Sequence, residues 1–79
     1  MPWVDVMWTD ENEAHIVEGD VAMADVEHVI RNPVGSGVIR STGRPFVVGY
    51  TKDDRKVIVV YEEIDAMTVY PITAYELED

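Results

Sequence analysis

The apolar residues change period partway along the chain. Met23, Val26, Val29 and Ile30 recur at three- and four-residue steps, which makes one stripe at helical spacing. Beyond residue 38 the apolar positions alternate or run together, as in "PFVVGY", "VIVVY" and "TVYPITAY", which is strand patterning. The stretch Trp3 to Trp8 alternates weakly and predicts a short first strand. Thr9 or Asp10 can cap a helix running to about Glu18, since either side-chain oxygen can accept from the free N–H groups of the first turn. Asp10, Glu11 and Glu13 then sit at the positive end of the helix dipole. Gly19-Asp20 stops this helix. Asp20 is the chemically better cap for the second helix, ahead of Ala22. Asn32-Pro33 ends it, because the residue before proline avoids the α region.

After the helices the chain punctuates itself. "VGSG" predicts a flexible connector and Val38 to Ser41 a short strand. "TGR" predicts a turn, Pro45 to Thr51 a strand and "KDD" a turn. Lys56 to Glu62 predicts a strand, "EIDA" a turn, and Met67 to Tyr75 the closing strand. The expected fold is α+β: a short N-terminal strand, two helices, then a 3–4-stranded antiparallel meander with the helices on one face. Phe46, Val48 and Tyr50 share one side of their strand, and Val57, Val59 and Tyr61 one side of the next. Ile58 and Val60 are apolar as well, so that strand is either covered on both faces or meets a partner on one. Pro71 lacks an N–H and belongs at an edge or a bulge.

At 79 residues the chain is one small domain, 1–79, with a single thin core. It has no cysteine, hence no disulfide and no thiol nucleophile. No apolar run approaches the roughly 18–20 residues that span a bilayer. The opening "MPWVDVMW" has neither a basic n-region nor a long apolar h-region, so no membrane association and a cytoplasmic location are expected.

Charge changes the picture more. The net charge is −10, from sixteen acids and six bases. Residues 1–30 hold eight acids and no Lys or Arg, and residues 61–79 hold six acids and no bases. Arg31, Arg40, Arg44, Lys52, Arg55 and Lys56 all fall between them. Such a field repels nucleic acid at low salt and suits a basic partner. Adaptation to high salt is the other source of an acidic, lysine-poor surface, since at about 1 M salt the Debye length shrinks to a few ångströms.

Candidate chemistry is sparse. His15 and His28 match no zinc spacing, and no metal or cofactor is expected. "DENEAHIVEGDV" is no calcium loop, because the sixth and twelfth places, which need Gly and Glu, hold His15 and Val21. "GSG" and "STGR" are small-residue turns without a phosphate-loop lysine, and Ser36, Ser41 and Thr42 have no His/Asp company. Arg40 and Arg44 flank one hairpin turn and Lys52, Arg55 and Lys56 the next, with roughly 20–25 Å between the clusters. Arg40 and Arg44 are placed beside Glu62, Glu63 and Asp65, where salt bridges are expected.

The stretch "WTDENEAHIVEGDVAMADVEHVIRNP" resembles the opening of the BrnT-like proteins, small toxins of toxin–antitoxin pairs related in fold to the RelE ribonucleases. Trp8, Asp10, His15, Ile16, Val21, Val26 and Pro33 fall on that pattern. "GRPFVVGYTKDDRKVIVVYEE" is similar to the family's meander, and Thr73-Ala74 to its closing Ser/Thr-Ala. The resemblance implies a RelE-like fold, an antitoxin-like partner and metal-independent RNA cleavage, which needs cations on the scissile phosphate and an acid/base pair. Two family positions differ: Gly19-Asp20 stands where His-Gly is usual, and Tyr75 where arginine is usual. The family's basic C-terminal helix does not follow in this sequence.

The expected function is therefore a non-catalytic protein–protein module, derived from or acting in a toxin–antitoxin system, bound to an antitoxin-like protein or to itself. Tyr50, Tyr61, Tyr70 and Tyr75 are its candidate interface residues, since aromatics are enriched at interface centres. The alternative is an active ribonuclease, with Arg40, Arg44, Arg55 and Lys56 holding phosphate and His15, Arg44 or Tyr75 in catalysis.

Overall fold

A computed structural model describes residues 4–77. The elements are β1 (Asp5–Val6), α1 (Asp10–Glu18), α2 (Met23–Arg31), β2 (Gly35–Val38), β3 (Pro45–Tyr50), β4 (Lys56–Asp65) and β5 (Thr68–Glu76). Five strands form one sheet in the order β1-β5-β4-β3-β2, the N-terminal strand joining the meander at the β5 edge. All neighbours are antiparallel except β1 and β5, which run parallel. The architecture is the expected α+β, with both helices on one face. Trp3, expected at the start of β1, lies outside the described residues.

α1 begins where its capping chemistry dictates. The Thr9 hydroxyl accepts from the Asn12 N–H, and the Asn12 side chain accepts from the Thr9 N–H at 2.7 Å. Asparagine here does the reciprocal job usually done by Glu or Gln. Asn12 is buried, and its amide also donates to the Met7 carbonyl at 2.9 Å.

α2 starts differently from expectation. Its cap is Ala22, with no side-chain hydrogen bond. Asp20 is instead taken up by the exit from α1, in the left-handed region at φ 61°. Aspartate tolerates that conformation better than bulkier residues do. Val21 is then buried between the helices and the sheet. Gly19 allows this tight exit: a Cβ there would lie 2.1 Å from the Ala74 carbonyl oxygen of β5.

"VGSG" is no connector. Gly35 to Val38 pair with Val48 to Pro45 as the edge strand β2. The glycines serve contact rather than flexibility, since a Cβ on Gly37 would meet the Phe46 ring at 2.8 Å. "EIDA" is likewise no turn up to Asp65. β4 continues to that residue, and the reversal is the pair Ala66-Met67, with the Asp65 carboxylate accepting from the Met67 N–H at 2.9 Å. Pro71 sits at a register shift: Val60 pairs with Thr73 but Tyr61 pairs with Pro71, leaving Ile72 as the extra residue. β1 pairs with Thr68 and Val69 only, so the bulge absorbs the missing N–H where β5 has no outer neighbour.

Ile16, Val21, Val26 and Val29 from the helical side meet Val47, Val57, Val59 and Ala74 from the sheet. A second link ties the chain start to α2. The Trp8 indole N–H donates to Glu27 at 3.0 Å, and Arg31 donates to Glu27 at 2.8 Å and to the Val4 carbonyl at 3.0 and 3.2 Å. The Trp8 hydrogen bond lowers the Glu27 pKa most; burial opposes it, and Arg31 adds to the lowering.

Two outcomes follow from these contacts. Gly19→Ala forces β5 and the α1 exit apart and should cost about 1–3 kcal/mol by urea unfolding; an unchanged midpoint would show that the close approach is not needed. Glu27 is depressed in the folded state, so its contribution is present above the ordinary glutamate pKa and is lost as pH falls through the lower folded value. Glu27→Gln should therefore be less stable than the parent at neutral pH, with the gap closing on acidification, as followed by thermal melts across a pH series.

Candidate functional site

Helices cover one face of the sheet, and strand alternation fixes what stands on the other. Paired residues share a face, so the open face is a lattice of cross-strand rows. Phe46, Val60 and Thr73 make one row, and Val48, Ile58 and Tyr75 the next. Tyr50 and Lys56 lie beyond them, with Leu77 alongside through its N–H to the Lys56 carbonyl. At the opposite end Glu62 pairs with Tyr70 and lies 3.9 Å from Arg44. Among the described residues no helix packs over this face. Ile58 and Val60 are only 9% and 4% exposed, because the flanking side chains shelter them. Tyr50 and Tyr75 are 47% and 45% exposed and form the accessible part.

The balance of charge also differs between the faces. α1 carries Asp10, Glu11, Glu13 and Glu18 with no Lys or Arg. The open face carries Arg44 and Lys56 against Glu62, Asp5 and Asp65, the last two through their pairing with Thr68, with Arg40 in the neighbouring turn. That face thus holds acids and bases close to balance on a chain of −10. The surface suited to a basic partner is therefore the helical one.

The four tyrosines do not act together. Tyr50 and Tyr75 project from the open face. Tyr61 faces the helices and packs against the core. Burial first, and then the charge of Glu63, hold its phenol above the ordinary tyrosine pKa, so it stays protonated. Tyr70 is half-buried, and its hydroxyl shares a hydrogen bond with that of Thr9 at 3.2 Å.

The catalytic candidates are dispersed as well. His15 is exposed on α1, in the helical layer, whereas Tyr75 is on the open face. Arg44 aligns with Glu62 and Tyr75 with Ile58, four residues apart along β4, or roughly 13 Å. His28 is half-buried on α2, where its carbonyl accepts from Asn32. A shallow concavity by the β2–β3 turn is lined by Thr42, Gly43, Arg44, Tyr61, Glu62 and Glu63. It holds one cation against two acids and no histidine, the reverse of what a scissile phosphate needs.

Among the cations, Arg55 is committed to structure. It donates to Glu76 at 3.3 Å, to the Asp20 carbonyl at 3.4 Å and to Asp25 at 3.5 Å, and its Nε lies 3.4 Å from Asp53 without hydrogen-bonding geometry. One guanidinium thereby joins the entry of α2, the end of β5 and the β3–β4 turn. Thr51 reinforces that turn, with its hydroxyl donating to Asp53 and accepting from the Arg55 N–H. Lys56 stands on the open face, at the opposite end from Arg44. Arg40 is exposed in its turn.

Among the described residues no group of three or more His, Asp or Glu side chains is placed to hold a metal ion, and no helix is long and apolar enough to cross a membrane. Sequence reasoning overlooked Phe46, Lys56 and Glu62 as members of one surface. The alternation that sorted Phe46, Val48 and Tyr50 onto one side contained the signal for all three. Compared with protein-family models, curated proteins and solved structures, this chain finds no match.

Proposed function

We propose that this chain is a non-catalytic polypeptide-binding domain, a divergent relative of the BrnT-like toxins, and that it binds through the open face of its sheet. The observation that carries this reading is the apolar face without a covering layer, centred on Ile58 and Val60 and rimmed by the exposed Tyr50 and Tyr75. Tyrosine supplies large contact area at low conformational cost, and aromatic anchors concentrate binding energy at interface centres. The dispersal of His15, Arg44 and Tyr75, and the use of Arg55 in the scaffold, support the non-catalytic part.

A photo-reactive side chain at Tyr75 tests the surface. In cells it should cross-link to polypeptide, whereas the same group at Val17, exposed on α1, should do so far less. Equal yields at the two positions, or no adduct at Tyr75, would overturn the assignment. RNA incubated with the protein should stay intact from low salt to about 1 M, where screening removes long-range repulsion; cleavage that disappears in Arg44→Ala would restore the ribonuclease reading.

A further inference from the structure

The geometry points to a second copy of this chain as the occupant of the open face, packed sheet against sheet with β4 running antiparallel over β4. This rests on the reading of that face as a polypeptide-binding surface and names its partner.

Charge selects the occupant. A basic protein is drawn to the helical layer, where Asp10, Glu11, Glu13 and Glu18 stand without a Lys or Arg on their helix, whereas the open face mixes Arg44 and Lys56 with Glu62, Asp5 and Asp65. A second copy carries the same two signs and can match them. Lys56 and Glu62 lie on the same strand and the same face, six residues apart, at opposite ends of the apolar centre. A two-fold axis across the strands, between Ile58 and Val60, brings Lys56 of one copy over Glu62 of the other, twice. The same operation sets Ile58 over Val60 and Arg44 over the Tyr50 ring, an arrangement suited to cation–π contact. Such self-complementarity is what an isologous interface requires. It also places the two acidic helical layers on the outer sides, as far apart as the assembly allows. Sheets in natural sandwiches pack in this aligned manner.

Area sets the strength. Four strands at about 4.8 Å spacing and four rows about 6.6 Å apart give a face of roughly 400–500 Å². Two such faces bury roughly 800–1,000 Å², below the 1,200–2,000 Å² or so of stable complexes. The dimer is therefore weak and reversible. Salt acts on it in a definite direction. Two chains of −10 repel each other at long range, and screening removes that cost faster than it weakens two short contacts.

Sedimentation equilibrium over a wide concentration range tests this. A reversible monomer–dimer equilibrium that tightens from 50 mM to 1 M NaCl is expected, by roughly tenfold or more on the screening argument. Tyr50→Glu/Tyr75→Glu should abolish it while circular dichroism stays unchanged. Lys56→Glu and Glu62→Lys should each weaken it, and the double exchange Lys56→Glu/Glu62→Lys should recover affinity. A monomer at every concentration and salt, or a dimer indifferent to the tyrosine pair, would overturn the proposal. A double exchange no tighter than the single variants would overturn the antiparallel β4 register. Photo-adducts at Tyr75 with a different polypeptide, alongside a strict monomer, would reject the second copy and leave the binding-surface reading standing.

Discussion

One strand sets the problem the rest of the molecule solves. Val57, Ile58, Val59 and Val60 are four consecutive apolar residues, so β4 presents hydrocarbon to both faces of the sheet. Each such side chain contributes about 1.5–3 kcal/mol when buried. Two nine-residue helices are enough to cover one face, and they take the side of Val57 and Val59. The other face is left to its own neighbours. Phe46, Val48, Thr73 and Tyr75 flank Ile58 and Val60 closely enough to leave them nearly dry without a third layer.

The parts of this arrangement that depend on periodicity were legible. The α2 stripe, a cap at Thr9 or Asp10, the sorting of β3 and β4 into faces and the placement of Pro71 at an edge or a bulge all follow from local rules that tertiary contacts leave intact. What escaped was decided by distant partners. Val34 to Gly37 read as a connector, with the strand placed from Val38 to Ser41, because glycine is a poor strand former, yet β2 is Gly35–Val38 and Gly37 is where the Phe46 ring needs room. Asp20 read as a cap on chemical grounds, but the close approach of Gly19 to Ala74 commits it to the exit from α1. β1 beside β5 is a parallel pairing of the two ends of the chain, and no local pattern announces it. For the site, alternation identified the aromatic side of β3. It could not tell that Tyr61 and Tyr70 would be drawn away, one by the core and the other by the Thr9 hydroxyl.

Net charge was the weakest guide, because it averages over an acidic surface and a mixed one. The −10 of the chain suggests a molecule that attracts cations everywhere. The fold instead concentrates acid on α1 and its surroundings and leaves Arg44 and Lys56 on the open face. Segregation along the sequence becomes segregation in space because the helices come first and the meander second, and each forms its own layer. Arg55 is the exception that joins the layers. It is drawn to the helical side by Asp25 and Glu76, which takes its charge off the sheet side.

The sheltering of Ile58 and Val60 bears on how this face can act. Since their area is already withdrawn from water, little hydrophobic free energy is left at the centre for a partner to recover. The recoverable area lies in the rim, in the exposed halves of Tyr50 and Tyr75 and in the edge of the Phe46 ring. A surface built this way stays compatible with a folded monomer and still favours an aromatic-to-apolar contact when one is offered. In the proposed dimer, weak and reversible association follows from the same close strand packing that lets so small a domain stand with one face uncovered.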